Sequence, residues 1–280
     1  MTKTMTARQF FKKFSTDEIC LEYLFKMRFG ENTACFKCGE IGKFHKLAKI
    51  PAYTCNCGHH IHPKVGTPFE DSRTPLQLWF YAIYLFTATR SGVSAKELQR
   101  QLGVTYKCAW RMGHEIRKHM GSLNSNTPLG GFKKEVEIDE GFFGGENSKK
   151  AILLGMVEKQ GDIRTKVIPE NVWFNVEQEI LKNVKKTTTI HTDEHGMYRN
   201  LKRLRYDHKP KNHTRDEEYT TPTLDSYWTR LKLSIKGTHV WVSPKYLDKY
   251  ADEFAYRFNR RFHPERMIDE LLSNFVKPSS

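Results

Sequence analysis

VEIDEGFFGG (136–145) is the stretch whose reading decides the fold class. Val136, Glu137, Ile138 and Asp139 alternate apolar and acidic, the period of a strand, and glycines at 141, 144 and 145 then break it. The same character continues outward. AILLGMV (151–157) is strongly apolar and IRTKVI (163–168) alternates again, so three strands in a meander are expected. Residues 176–184 suit a helix, TTTIHT (187–192) is a β-branched strand ending at Asp193, and 223–235 and 244–261 read as helices. Strands first, then strands mixed with helices, predict an α/β domain with a mixed sheet.

The acids carry the chemical expectation. Asp139 closes the first strand and Asp193 closes the later one, each followed by Gly at two or three residues. Strand ends can hold two carboxylates side by side, and such a pair repels unless a divalent cation neutralises it. Mg²⁺, or Mn²⁺ in its place, takes oxygen ligands and keeps positions open for a phosphate. A third acid on a helix completes a two-metal phosphoryl-transfer site. Asp225, in TPTLDSYWTRLK (221–232), is the best candidate, because Trp228 and Leu231 give that helix a buried side. Lys232 lies two turns on, on roughly the same face, where it can meet a DNA phosphate. If Asp225 is not the third ligand, Glu217 and Glu218 come next.

Four of the six cysteines, Cys35, Cys38, Cys55 and Cys57, fall in 23 residues as C-x2-C-x16-C-x-C. Two close pairs around a short loop are the spacing of a zinc ribbon with one structural Zn²⁺. Gly39 and Gly58 follow the pairs, as turns at positive φ require. C-x-C is less common than C-x2-C, so His59, His60 or His62 remains open as the fourth ligand. Cys20 and Cys108 fall in helical patterns and read as small core residues.

Ahead of the ribbon, a capping box from Ser15 to Glu18 opens a helix over 16–29. After it, LQLWFYAIYLFTATR (76–90) is apolar nearly all round and reads as a buried helix. Ser94 to Glu97 is another capping box, Gly103 makes a turn, and Thr105 caps a helix over 106–120. Helix, Gly-containing turn, helix is the helix-turn-helix arrangement. Lys107, Arg111, Arg117 and Lys118 are expected on the outward, DNA-facing side of its second helix. SLNSNTPLGG (122–131) reads as a linker.

Charge agrees with that division. The chain of 280 residues has a formal net charge of +14, and residues 1–135 hold 21 basic and 10 acidic residues against 25 and 22 in the remainder. A basic half beside a balanced half implies one part that holds nucleic acid. At 38% hydrophobic the chain is not disordered. No apolar run approaches the roughly 20 residues of a membrane span, and the N-terminal stretch lacks the apolar core of a secretory signal. A soluble intracellular protein with no membrane partner is expected.

The chain resembles the insertion-sequence transposases that join an N-terminal zinc ribbon to a DDE catalytic domain, prokaryotic relatives of the Merlin transposons. The stretches that carry the resemblance include ACFKCG, YTCNCGHHIHPKVGTPFEDSRTPLQLWFYAIYL, VEIDEGFFGG, HTDEHGMYRNL and, most specific of all, LDSYWTRLKLSIKGTHVWVSPKYLDKYADEFAYRFNRR. It implies an RNase H-like fold for the second domain, with Asp139 and Asp193 as the first two acids and Lys232 at the family's Lys. Asp225 stands where Glu is usual, a carboxylate with one methylene less reach. Pro222 stands where some branches have Asn, and His213 resembles a His that precedes this motif. The implied activity is hydrolysis at the element's ends to free a 3′ hydroxyl, then attack of that hydroxyl on target DNA.

The expected order is therefore an N-terminal helix and zinc ribbon (1–70), a helix-turn-helix region (71–121), a linker (122–131) and an RNase H-like DDE domain (132–280). Its partners would be double-stranded DNA, both element ends and target, and further copies of the chain on that DNA. Its place would be the cytoplasm of a prokaryote, associated with the nucleoid. The competing expectation is a catalytically decayed, zinc-dependent DNA-binding protein or regulator, and a third is an RNase H-like nuclease without strand transfer.

Overall fold

A computed structural model describes residues 4–144, 150–169, 172–210 and 222–274. The chain divides into two compact units, one of residues 1–119 with 263–280 and one of residues 120–262.

The first unit begins with α1 (Ala7–Lys13), whose capping box pairs Thr6 with Gln9. α2 (Asp17–Phe29) follows. Its cap is Thr16 rather than Ser15, since the Thr16 hydroxyl accepts from the Ile19 N–H at 3.3 Å. Three short antiparallel strands, β1 (Phe44–Lys46), β2 (Tyr53–Cys55) and β3 (His60–Ile61), form the ribbon's sheet. Phe25 of α2 stacks on Tyr53 with ring centroids 4.0 Å apart, which ties the ribbon to the helix.

α3 (Leu76–Ala88) buries Trp79, Phe80, Ile83 and Phe86, as its apolar run predicts. Pro75 cannot cap it; instead the Asp17 carboxylate accepts from the N–H groups of Leu76 and Gln77 at 3.0 and 2.8 Å. α4 (Ala95–Leu102) is capped by Ser94 and ends at Gly103 with φ 65°. Thr105 caps α5 (Tyr106–Ser122) through the Cys108 N–H at 3.3 Å.

The second unit is built on five strands in the order β6-β5-β4-β7-β8. β4 (Glu135–Phe143), β5 (Ala151–Glu158) and β6 (Ile163–Ile168) form the expected antiparallel meander. After α6 (Trp173–Asn183), β7 (Thr189–Thr192) joins β4 in parallel. β8 (Asp207–Pro210) adds a parallel edge; its sequence, DHKP, gives no apolar pattern to read. β4 runs through Gly141 rather than ending there. A Cβ on Gly141 would lie 3.0 Å from the Trp228 ring, so this glycine leaves room for a neighbour instead of breaking the strand.

The sheet is covered on both faces. On one, Val136, Ile138, Met156 and Ile190 pack with Val176 and Ile180 of α6. On the other, Leu153 and Val157 pack with α7 (Pro222–Ser234) and α8 (Pro244–Asn259) through Leu224, Trp228, Leu247 and Phe254. The last helix, α9 (Met267–Ser273), packs against α2 and α3 of the first unit, where Asp269 pairs with Lys13 at 3.0 Å and accepts from the Tyr23 hydroxyl. Among the described residues, no helix is long and apolar enough to cross a membrane.

Candidate functional site: a carboxylate centre and a cysteine centre

Asp139 sits on β4 opposite Gly155 of β5, and Asp193 follows the last residue of β7. β4 and β7 are neighbours in parallel, with Glu137 opposite His191, so continuing that register two residues brings Asp139 level with Asp193. Asp225 lies in the first turn of α7, which packs on β4 and β5. The charges of Asp193 and Asp225 both act on Asp139. The three acids therefore come from two adjacent strands and the helix over them.

Three details hold this arrangement. The Trp228 indole N–H donates to Asp139 Oδ2 at 2.9 Å, one turn along α7 from Asp225. The indole can lie that close because Gly155 and Gly141 lack side chains beneath it; a Cβ at 155 would come within 2.5 Å of its Cζ2. Glu137, two residues before Asp139 and on the same face, accepts from the Thr223 N–H (3.1 Å), the Leu224 N–H (3.2 Å) and the Thr223 hydroxyl (2.9 Å). A carboxylate on the strand thus caps the helix that carries Asp225.

Burial pushes the Asp139 carboxyl up, and the charges of Asp225 and Asp193 add to that; the Trp228 N–H works the other way. Burial also raises Glu137, against its bonds to Thr223 and Leu224. Glu140, on the opposite face of β4, accepts from the Tyr198 hydroxyl at 2.5 Å. Its carboxyl is pushed up to about 7, first by burial and then by the charges of Asp139 and Asp193. A partly buried carboxylate pushed up by the charges of two neighbouring ones, as Asp139 is, is a group that a hard, oxygen-seeking cation can stabilise. Asp193 Oδ1 accepts from the His195 N–H at 3.0 Å, which fixes the turn after β7. Lys232 is exposed, with Nζ 5.8 Å from the ring of Phe143, the last residue of β4. Glu217, Glu218 and His213 lie outside the described residues.

The cysteine centre is tighter. The Sγ atoms of Cys35, Cys38, Cys55 and Cys57 all lie within 4.8 Å of one another, and the pairs Cys35–Cys57 and Cys38–Cys55 are 3.6 Å apart. Zn–S bonds of about 2.3 Å in a tetrahedron require sulfurs about 3.8 Å apart. The four thiols fit a Zn²⁺ ion, and Cys57 takes the place that His59, His60 or His62 had been open to fill. Among the described residues, no set of acids gathers in the same way. Each pair sits in a turn closed by the predicted glycine: Gly39 (φ 75°) donates to the Cys35 carbonyl and Gly58 (φ 83°) to that of Cys55. Burial opposes ionisation of Cys35, but N–H groups of Cys38 and Lys37 and the sulfurs of Cys38 and Cys57 outweigh it and bring its thiol down to about 7.

The basic residues of α5 divide. Lys107, Arg111 and Lys118 are exposed, although Arg111 also donates to Ser72 Oγ at 3.1 Å and lies over the Trp79 ring. Arg117 is not on the outward side. It is 2% exposed, donates to the Val93 carbonyl at 2.9 Å, and lies over the Phe86 ring at 5.0 Å. Its guanidinium thus covers Phe86 of α3 and satisfies a carbonyl of the loop before α4. Cys20 is fully buried as expected, and Cys108 is half-buried beside Thr74 and Met112.

Glu137 is the site residue that the sequence reading passes over. Its signal was present, an acid two residues from Asp139 on the same strand face, but its partner is a helix 86 residues away.

Residues 126–259 match the family model of the ISXO2-like transposase domain. Over that stretch, just under half of its length, the chain is similar to an insertion-sequence transposase domain. The match spans the sheet, the three helices that cover it and all three acids. An uncharacterized protein in transposable element ISH50 of Halobacterium salinarum is 26% identical over 132 residues, 46% of this chain and 42% of that protein. The alignment thus spans less than half of that relative's length. Among solved structures, a chain in the cryo-EM structure of the simian T-cell lymphotropic virus intasome with PP2A regulatory subunit B56 gamma is 13% identical. That alignment covers 66% of this chain and 73% of the other at a TM-score of 0.33, too low to bear on fold or function.

Proposed function

We propose that the chain is a DDE-type transposase that binds the ends of an insertion sequence and carries out metal-dependent strand cleavage and strand transfer on double-stranded DNA. What supports this reading is the placement of Asp139 and Asp193 at level positions on two neighbouring parallel strands, with Asp225 in the first turn of the helix packed on the sheet, inside the stretch that matches the transposase domain. The strand order, an antiparallel meander extended by two parallel strands, supports the RNase H-like reading of that domain.

Asp139, Asp193 and Asp225 would hold Mg²⁺ or Mn²⁺. When bound, two such ions lower the charge cost on the entering and leaving oxygens of a phosphoryl transfer. The chain's own part is positional. Trp228 fixes the Asp139 oxygen that faces α7, Glu137 keeps the first turn of α7 against β4, and Lys232 meets a DNA phosphate further along the helix. Water attacks the scissile phosphate and gives up a proton, while the 3′ oxygen leaves and takes one up, so that a 5′ phosphate remains. The freed 3′ hydroxyl then attacks a target phosphodiester and gives up its proton, as the bond from that phosphorus to the target's own 3′ oxygen breaks and that oxygen leaves protonated. Cys35, Cys38, Cys55 and Cys57 would hold a structural Zn²⁺ in the N-terminal ribbon, and α4 and α5 act as the helix-turn-helix, with Lys107, Arg111 and Lys118 toward DNA. Action at paired ends implies a homo-oligomer on DNA, in the cytoplasm and at the nucleoid.

The test is cleavage and strand transfer on DNA carrying the element's own flanking ends, with Mg²⁺ or Mn²⁺. Asp139→Asn and Asp193→Asn should abolish both steps while end binding stays. Asp225→Glu should preserve or raise activity and Asp225→Ala should destroy it. Full cleavage by the Ala variant would remove Asp225 from the centre. Binding without cleavage by the unaltered chain would instead favour the non-catalytic DNA-binding regulator.

A further inference from the structure

The most specific stretch of sequence continues past the acids into IKGTHVWVS (235–243), which the catalytic centre does not use. α7 does not close with a cap there. It widens into one π turn, Ile235–His239. Val240 then takes φ 64° and ψ −52°, and the Trp241 N–H donates to the His239 carbonyl at 2.7 Å. That is a γ-turn of the rare, strained kind, centred on a β-branched residue at positive φ. Strain of this sort persists only where the surroundings impose it, and it collects at ligand contacts. Here it does not serve burial: Val240 is 82% exposed and Trp241 is 62% exposed. The turn holds an apolar wedge and an indole out in solvent.

The charge along the chain on either side of the wedge points to what would cover it. Between Asp225 and Asp248 there is no acidic residue, while Arg230, Lys232, Lys236 and Lys245 all fall there. Asp248 is itself engaged, with Lys166 at 3.3 Å and the Val167 N–H at 2.9 Å. A second copy of the chain presenting the same face would bring cations against cations. A ligand that is polyanionic outside and offers flat apolar faces is complementary to both features, and nucleic acid with an unstacked base is such a ligand.

We infer that this turn is a DNA contact, in which Trp241, levered outward by Val240, stacks on a base that has left the duplex while the neighbouring lysines take the backbone. The inference rests on the transposase reading for its choice of DNA and for its register. At 1.5 Å per residue, the helical run from Asp225 to His239 carries the turn about 20 Å from Asp225, about six nucleotide steps of 3.4 Å from a phosphate at the acids.

The test uses the full chain with three fluorescent probes: a dT20 strand, a 20-base-pair duplex and the same duplex with one bulged base. Trp241→Ala should weaken dT20 and bulged-duplex binding about tenfold, change plain-duplex binding less than twofold, and leave the melting temperature unaltered; Trp241→Phe should restore most of the loss. Equal affinities of Trp241→Ala and the unaltered chain for dT20, or equal losses on all three probes, would overturn the stacking contact. So would a shift in self-association with unchanged DNA binding, which would make the turn a protein interface. Asp139→Asn separates the two readings: it should lose cleavage yet bind all three probes normally, so a failed catalytic centre leaves the Trp241 result standing.

Discussion

The cysteine centre and the carboxylate centre are built in opposite ways. The four cysteines lie within 23 residues, each pair closes its own turn, and three short strands bring the turns together. The three acids sit at positions 139, 193 and 225, on a parallel strand pairing and a helix packed across two strands. The first centre is local and has little apolar mass of its own, so a bound ion is the expected source of its stability. The second is non-local and inherits its geometry from the hydrophobic core beneath it.

The largest expected effect follows from that contrast. Structural zinc sites carry apparent binding free energies of about 10 kcal/mol or more in small domains. Chelation, or Cys35→Ser, should therefore unfold the ribbon over 33–69 while the sheet of the second unit stays protected, as read by hydrogen exchange. Protection of β1 to β3 that survives chelation would mean that the Phe25–Tyr53 contact, not an ion, holds the ribbon, and the contrast would fall.

The next effect probes the other centre through its core. Gly155→Ala places a methyl where the Trp228 ring lies, at a distance no carbon tolerates, so α7 must lift from the sheet. Overpacking of this kind costs about 2–3 kcal/mol. Urea unfolding should show that loss, and cleavage should fall with it because Asp225 and the Trp228–Asp139 hydrogen bond move together. Unchanged unfolding would show that the acids do not depend on this close approach.

Sequence pattern revealed the local centre almost completely and the non-local one in part. The cysteine spacing, the glycines after each pair, the caps at Ser94 and Thr105 and the alternation of β4 to β6 are all short-range facts. Asp193 was legible because it follows a β-branched strand directly, whereas Asp139 read as a strand end and sits in the middle of β4, which runs on to Phe143. Arg117 was misread because a helix pattern gives faces without saying what lies opposite; a basic side chain near α3 folded inward onto Phe86 and the Val93 carbonyl. Gly141 read as a strand break because the ring it accommodates comes from residue 228. α9 and β8 had no pattern strong enough to read, one being seven residues long and the other a charged edge.

The smallest effect is the most discriminating, and it concerns Glu137. As a cap, its carboxylate matters for the acceptors it offers the first turn of α7; as a metal ligand it would matter for its charge. Glu137→Ala removes every acceptor and leaves the Thr223 and Leu224 N–H groups without this partner, a loss of about 1–2 kcal/mol. Glu137→Gln keeps an oxygen for the two N–H groups, and its amide can donate to the Thr223 hydroxyl. It forfeits only the charge at the helix N-terminus, about 0.3–1 kcal/mol, and avoids the burial that raises the Glu137 carboxyl. Gln should therefore sit close to the unaltered protein in thermal unfolding and retain Mn²⁺ binding and cleavage, while Ala should lose stability and part of its cleavage. If Gln is as damaging to Mn²⁺ binding as Asp139→Asn, Glu137 is a ligand in its own right, and the carboxylate centre draws two acids from one strand.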